Sequence, residues 1–131
     1  MLRVAYYDSQ RELLVAGCRD DYEHLCDVVR QSLVSGSELA ISVRSTGETL
    51  ITHLMVRRST PPNRVSYQRG LIVLEIAPSL QDEFLSFVEF PSDADLPDSP
   101  IQYHHHYDGF ADDGNYVALD SLPVVFSLER T

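Results

Sequence analysis

RDDYEHLCDVVRQSLVSG, residues 19–36, is the most regular stretch of the chain, and the reading of the fold starts from it. Tyr22, Leu25, Cys26, Val29 and Leu33 recur at i, i+3, i+4, i+7 and i+11, which sets them in one stripe along a helix. Asp20 stands where a cap is needed, Glu23 occupies the reciprocal position of a capping box, and Gly36 is a natural stop. A helix with a single apolar stripe buries that one face against a second layer.

The flanking sequence supplies that layer. Leu2–Tyr7 and Glu12–Gly17 are short, apolar and β-branched with DSQR between them, which reads as a hairpin. Leu39–Arg44 and Leu50–Arg57 read as strands joined through a turn around Ser45–Glu48. In the second of them Leu50, Thr52, Leu54 and Val56 form the more apolar face. After a loop over Ser59–Arg64, Val65–Tyr67 and Leu71–Ala77 flank a tight turn at Gln68–Gly70. The run LIVLEIA is continuous enough for a central strand covered on both faces. Pro78 ends it, and Ser79 is placed to cap a second, shorter helix through SLQDEFLSFVEF, with Asp82 and Glu83 in its first turn; the alternative is a strand through Phe84–Phe90. Residues 91–100, PSDADLPDSP, read as a linker without structure of its own, followed by a strand at Ile101–Tyr107, a turn over 108–114 and a last segment at Leu122–Leu128. The expectation is one α+β domain over residues 1–131. It has a mixed or mostly antiparallel sheet of about seven short strands, with two helices packed on one side.

Charge narrows the function. The chain carries 20 acids against 10 bases, a net charge of −10, and every base is arginine. Residues 1–74 hold 9 Arg and 8 Asp/Glu, whereas residues 75–131 hold 1 Arg and 12 Asp/Glu. A field of that sign repels nucleic acid, whose binding depends on cations at the phosphates. It steers a basic partner instead. No apolar run approaches the about 18 residues that span a bilayer, and the N-terminus reads directly as a strand, so a cytoplasmic protein is expected. Cys18 and Cys26 are the only cysteines, and neither belongs to a C-x-x-C motif, which suits reduced thiols.

YHHHYDGFADDGNY, residues 103–116, carries the remaining chemistry. On a strand, Tyr103, His105 and Tyr107 share one face with Ile101, and Gln102, His104 and His106 share the other. The aromatic set is the core-facing one. His104 and His106, two apart on the outer face, have the spacing for two ligands of one transition metal ion. His24 and His53 are the other histidines, and neither spacing nor sequence compels a third ligand from them or from Asp108, Asp112 or Asp113. His104 or His106 with Asp108 would also make an acid–base pair. However, no serine or cysteine sits in an active-site motif, and the six glycines are scattered singly. The third reading is a partner surface. Tyr107, Phe110 and Tyr116 lie in or beside the acidic loop DGFADDGN, and rings bordered by carboxylates suit an Arg/Lys-rich surface.

The block HHHYDGFADDGNYVALDSLPVVFSLE resembles the C-terminal end of small bacterial immunity proteins of polymorphic toxin systems, those of immunity family 32 among them. There an H-x-H strand leads through a variable turn to a D-S-x-P segment followed by apolar residues. His104–His106, Asp120, Ser121, Pro123, Val124, Val125 and Phe126 match it here. The stretch ELLVAGCRDDYEHLCDVVRQSL is similar to that family's early strand and capped helix. The turn after the histidines is longer and more acidic than in the family, and the middle of the chain matches nothing in it.

The resemblance implies a protein that neutralises a cognate toxin by stoichiometric binding, without catalysis or a cofactor. The acidic half is consistent with a basic toxin, such as a nuclease. The expected partner-binding residues are His104, His106, Tyr107, Asp108, Phe110, Asp112, Asp113 and Tyr116. The rival expectation is a small metal-binding protein or metal-dependent enzyme that uses His104 and His106.

Overall fold

The computed structural model describes residues 1–98, 103–110 and 113–130. β1 (Arg3–Tyr7) and β2 (Glu12–Gly17) form the expected antiparallel hairpin, with Arg3 opposite Ala16 and Tyr7 opposite Glu12. A single 3-10 turn at Asp8–Gln10 closes it, and Arg11 takes a left-handed φ of 51°. The helix α1 runs from Arg19 to Ser35 and stops at Gly36, whose φ of 75° is open to glycine at no steric cost. All five residues of the predicted stripe are buried. The cap differs from the expectation. Cys18 holds the cap position, and Asp21 accepts from its N–H at 3.0 Å and its thiol at 3.2 Å, where Asp20 and Glu23 were expected. β2 ends at Gly17 and the helix follows it directly, so the cap falls at Cys18, two positions before Asp20.

Beyond the helix lie β3 (Leu39–Ser42), β4 (Arg44–Ser45), β5 (His53–Arg58), β6 (Arg64–Gln68) and β7 (Leu71–Ile76). The short helix α2 (Gln81–Leu85) follows, then β8 (His104–Tyr107) and β9 (Val124–Leu128). The fold is α+β, with nine strands among the described residues. They divide into two mixed sheets where one was expected, in the orders β4-β1-β2-β9-β8 and β3-β5-β7-β6. The division falls at Val43, inside what read as one strand. Ser42 pairs with His53 in one sheet, while the Arg44 N–H donates to Leu2 O (2.9 Å) in the other. LIVLEI is the expected central strand: β7 lies between β5 and β6, and Ile72, Val73, Leu74 and Ile76 are all buried. Leu50 departs from its predicted face. β5 begins only at His53, so Leu50 is exposed and Ile51 is buried.

α1 packs on β5, β3 and β2, and so lies against both sheets. Its Tyr22 hydroxyl reaches Val15 O (2.9 Å) and Ser127 O (2.7 Å). Burial pushes this phenol far above its ordinary pKa. Phe84 of α2 is fully buried and meets Tyr107 and Phe126 edge-on at 5.4 and 6.0 Å. Both helices therefore cover the Phe126 face of the five-stranded sheet. Buried apolar residues from Leu2 to Leu128 form one connected core. No described helix is long and apolar enough to cross a membrane.

Two segments are more structured, or shorter, than expected. The second helix starts as a 3-10 turn at Pro78–Leu80, with Leu80 rather than Ser79 at the cap of α2, and unwinds after Leu85. The donor a helix would offer to Phe87 O belongs to Pro91, which has no N–H; the His105 ring bonds that carbonyl instead, at 2.9 Å. The supposed linker is fastened down: Ala94 and Asp95 are buried. Arg19 reaches Asp95 Oδ1 (3.0 Å) and Oδ2 (3.2 Å), Phe90 O (3.2 Å) and Pro91 O (2.6 Å). Residues 99–102, including the predicted strand positions Ile101 and Gln102, lie outside the described residues.

Candidate functional site

The predicted site residues come from β8, at one edge of the five-stranded sheet, and from the loop that follows it. Strand alternation turns His104 and His106 outward, where both are exposed with ring centroids 5.4 Å apart. It turns His105 and Tyr107 inward. His105 stacks on Phe90 at 4.7 Å, and its bond to Phe87 O makes Nδ1 the protonated nitrogen. Tyr107 is 1% exposed, so it belongs to the core and not to the surface on which it was expected. Its ring lies 4.9 Å from that of Phe87, and its hydroxyl receives a hydrogen bond from Asn63 Nδ2 at 3.2 Å. Among the described residues no group of three His, Cys, Asp or Glu side chains gathers as metal ligands would.

The loop is built tightly at its base and is open at its rim. Asp108 Oδ1 accepts the Phe110 N–H at 3.0 Å, and the Gly114 N–H donates to Gly109 O at 3.0 Å. Asp113 (φ 56°) and Gly114 (φ 82°) turn the chain back. Gly109 is pressed against the returning chain, where a Cβ would lie 2.4 Å from Ala118 O; only glycine fits. Phe110 is 72% exposed, Tyr116 47% and Leu119 61%. These are three of the seven large apolar side chains exposed on the described chain, gathered within ten residues. Asp112 lies outside the described residues.

Asn63 holds this loop to the body of the protein, and nothing in the sequence marked it beyond its place after two prolines. It is 1% exposed. Its N–H donates to Tyr116 O (2.8 Å) and its carbonyl accepts the Ala118 N–H (2.8 Å). Its side chain accepts the Ala77 N–H at 2.7 Å and donates to Tyr107. One residue thereby joins the end of β7, the end of β8 and the base of the loop. The D-S-x-P segment continues the join. Ser121 Oγ accepts the Val65 N–H (2.8 Å), the Leu122 N–H donates to Val65 O (2.9 Å), and Asp120 pairs with Arg64 at 2.9 Å. In this fold those motif residues seam the two sheets together.

The acidic half is not presented whole. Asp95, Glu89, Asp120 and Glu129 pair with Arg19, Arg30, Arg64 and Arg3, each drawn from the first half of the chain. The Arg19 guanidinium holds the Asp95 carboxyl below its ordinary pKa. Asp108 and Asp113 make no ion pair among the described residues. Both cysteines are free, and burial pushes the Cys26 thiol up to about 11, which makes it inert near neutral pH.

No protein-family profile, characterised protein or solved structure matches this chain.

Proposed function

We propose that this chain is an immunity protein that binds a basic toxin domain in the cytoplasm and neutralises it stoichiometrically, through the acidic loop after β8. The observation that carries this reading is the concentration of exposed Phe110, Tyr116 and Leu119 on one loop whose carboxylates, Asp108 and Asp113, are unpaired among the described residues. Rings supply buried area, and the free acids supply steering and discrimination. A base stitched down by Asn63 and Gly109 lowers the ordering cost of docking. His104 and His106 border the same end of the molecule.

The test is capture of the product of the neighbouring gene, followed by binding kinetics. Asp112→Arg with Asp113→Arg is expected to slow association and flatten its salt dependence while leaving the fold intact. Unchanged kinetics at low salt would remove this loop from the interface. The rival reading, a metal protein built on His104 and His106, is separated by metal analysis of chelator-treated protein and of a His104→Ala/His106→Ala variant. Stoichiometric metal lost in that variant favours the rival.

A further inference from the structure

The outer face of the five-stranded sheet carries a second feature, next to the loop and on the side opposite the helices. The registers place Ala5, Leu14, Val125 and His106 in one row across β1, β2, β9 and β8. Leu14 and Val125, both half-buried, floor a groove of about 500 Å³ that Tyr7, Pro123 and His106 also line. On the next rung the chemistry changes. Leu13 and Tyr107 both pair with Val124, so Glu12 and Asp108 flank Pro123 from either side. With strands about 4.8 Å apart, the Cα atoms of Glu12 and Asp108 stand about 10 Å from each other, which leaves room for a flat cation between the two carboxylates. Neither carboxylate is in an ion pair among the described residues. Arg11 also lines the groove, where it donates to Asp120 O at 3.1 Å, so the two carboxylates outnumber the single cation there.

We propose that this groove receives an arginine side chain of the basic partner, its stem on Leu14 and Val125 and its guanidinium between Glu12 and Asp108. An apolar floor with two acids at its mouth matches the two halves of that side chain. A planar guanidinium also stacks on rings such as Tyr7 and His106, which an ammonium does less well. The inference rests on reading this end of the molecule as the face that meets a basic protein, and it adds which side chain is read and where.

The test needs no toxin. Isotope-labelled protein is titrated with the peptides acetyl-Gly-Arg-Gly-amide, its lysine counterpart and its citrulline counterpart, and amide resonances are followed. The arginine peptide is expected to shift Leu14, Val125, His106 and Asp108 saturably, and the citrulline peptide, which has the same shape without the charge, is expected not to. Glu12→Gln with Asp108→Asn should weaken the arginine response roughly tenfold. Leu14→Arg, which fills the groove from within, should abolish the response while the remaining spectrum stays folded. Equal shifts from citrulline, or arginine shifts scattered over Asp82, Glu83 and Asp93, would overturn the groove. That result leaves the loop reading standing. Loss of toxin binding only in groove variants, with loop variants unaffected, would do the reverse.

Discussion

Replacing Asn63 by alanine should cost far more than its size suggests. The substitution deletes the acceptor of the Ala77 N–H, at 2.7 Å, in a place where Asn63 is 1% exposed and Ala77 not at all. A buried N–H left without a partner costs about 1–3 kcal/mol, and losing the bond to the Tyr107 hydroxyl adds about 1 kcal/mol, so the sum is about 3 kcal/mol. With a urea slope of about 1–3 kcal/mol per molar, the unfolding midpoint should drop by about 1–3 M. The chain has no tryptophan and 7 tyrosines, so far-ultraviolet circular dichroism with tyrosine fluorescence gives two independent probes of the transition. Tyr107→Phe, which breaks the second bond and keeps the Ala77 N–H paired, should lose less than Asn63→Ala but at least about 1 kcal/mol. Amide exchange sharpens the test. Ala77 should lose protection, whereas Ala118, held by the Asn63 main-chain carbonyl at 2.8 Å, should keep it. A loss under 1 kcal/mol in Asn63→Ala, or equal deprotection at both amides, would refute the claim that this side chain is the staple.

Three further outcomes are expected. Phe110→Ala and Tyr116→Ala should each weaken toxin binding about 30-fold, the effect of losing about 2 kcal/mol at a hot spot, and Phe110→Ala should leave the melting temperature unchanged because that ring is 72% exposed. Asp95 is held below its ordinary pKa by Arg19, so folding favours its ionised form. Its contribution is present above the unfolded value of about 4 and fades as pH falls through the lower folded value. Urea midpoints of wild type and Asp95→Asn should therefore differ at pH 7 and converge toward pH 3, and a constant gap would contradict the pairing. Cys26, with its thiol pushed up to about 11 by burial, should resist a disulfide-exchange reagent at pH 7.5 in the native state and react on unfolding. Rapid native labelling at Cys26 would show that the α1 stripe opens.

What the sequence made legible follows from how local each signal is. The β1–β2 hairpin, α1 and the central strand β7 each announce themselves within a dozen residues, and each forms where expected. The split into two sheets is decided at Val43 by a hydrogen bond from Arg44 to Leu2, forty positions away, and no local pattern encodes that choice. Asn63 is invisible for the same reason, since a Pro-Pro-Asn turn looks the same whether it faces solvent or a core. One misreading had a signal in plain view. Alternation had already put Tyr107 on the inner face with His105, so counting it as an interface ring conflicted with the strand's own geometry. The second helix, read through Phe90, ends at Leu85, well before Pro91, the first residue that could not continue it. The outward histidines and the loop's exposed Phe110 and Tyr116 did follow from period and composition.

The place of β9 in the sheet has a consequence for how the molecule comes into being. It lies between β2 and β8, and its Val124 pairs with Leu13, more than a hundred positions upstream. During translation the β1–β2 hairpin must wait, one flank bare, until the more than one hundred residues between it and β9 have been added. Pairing over such a span is slow, and an uncovered flank invites association with other nascent chains. Residues 1–74 hold 9 Arg against 8 Asp/Glu, so charge repulsion does little to protect that flank until the acids of residues 75–131 have been added. β8 has its partner in the sheet only once that late strand inserts, so the two ends of the connection between β8 and β9 are fixed together and late.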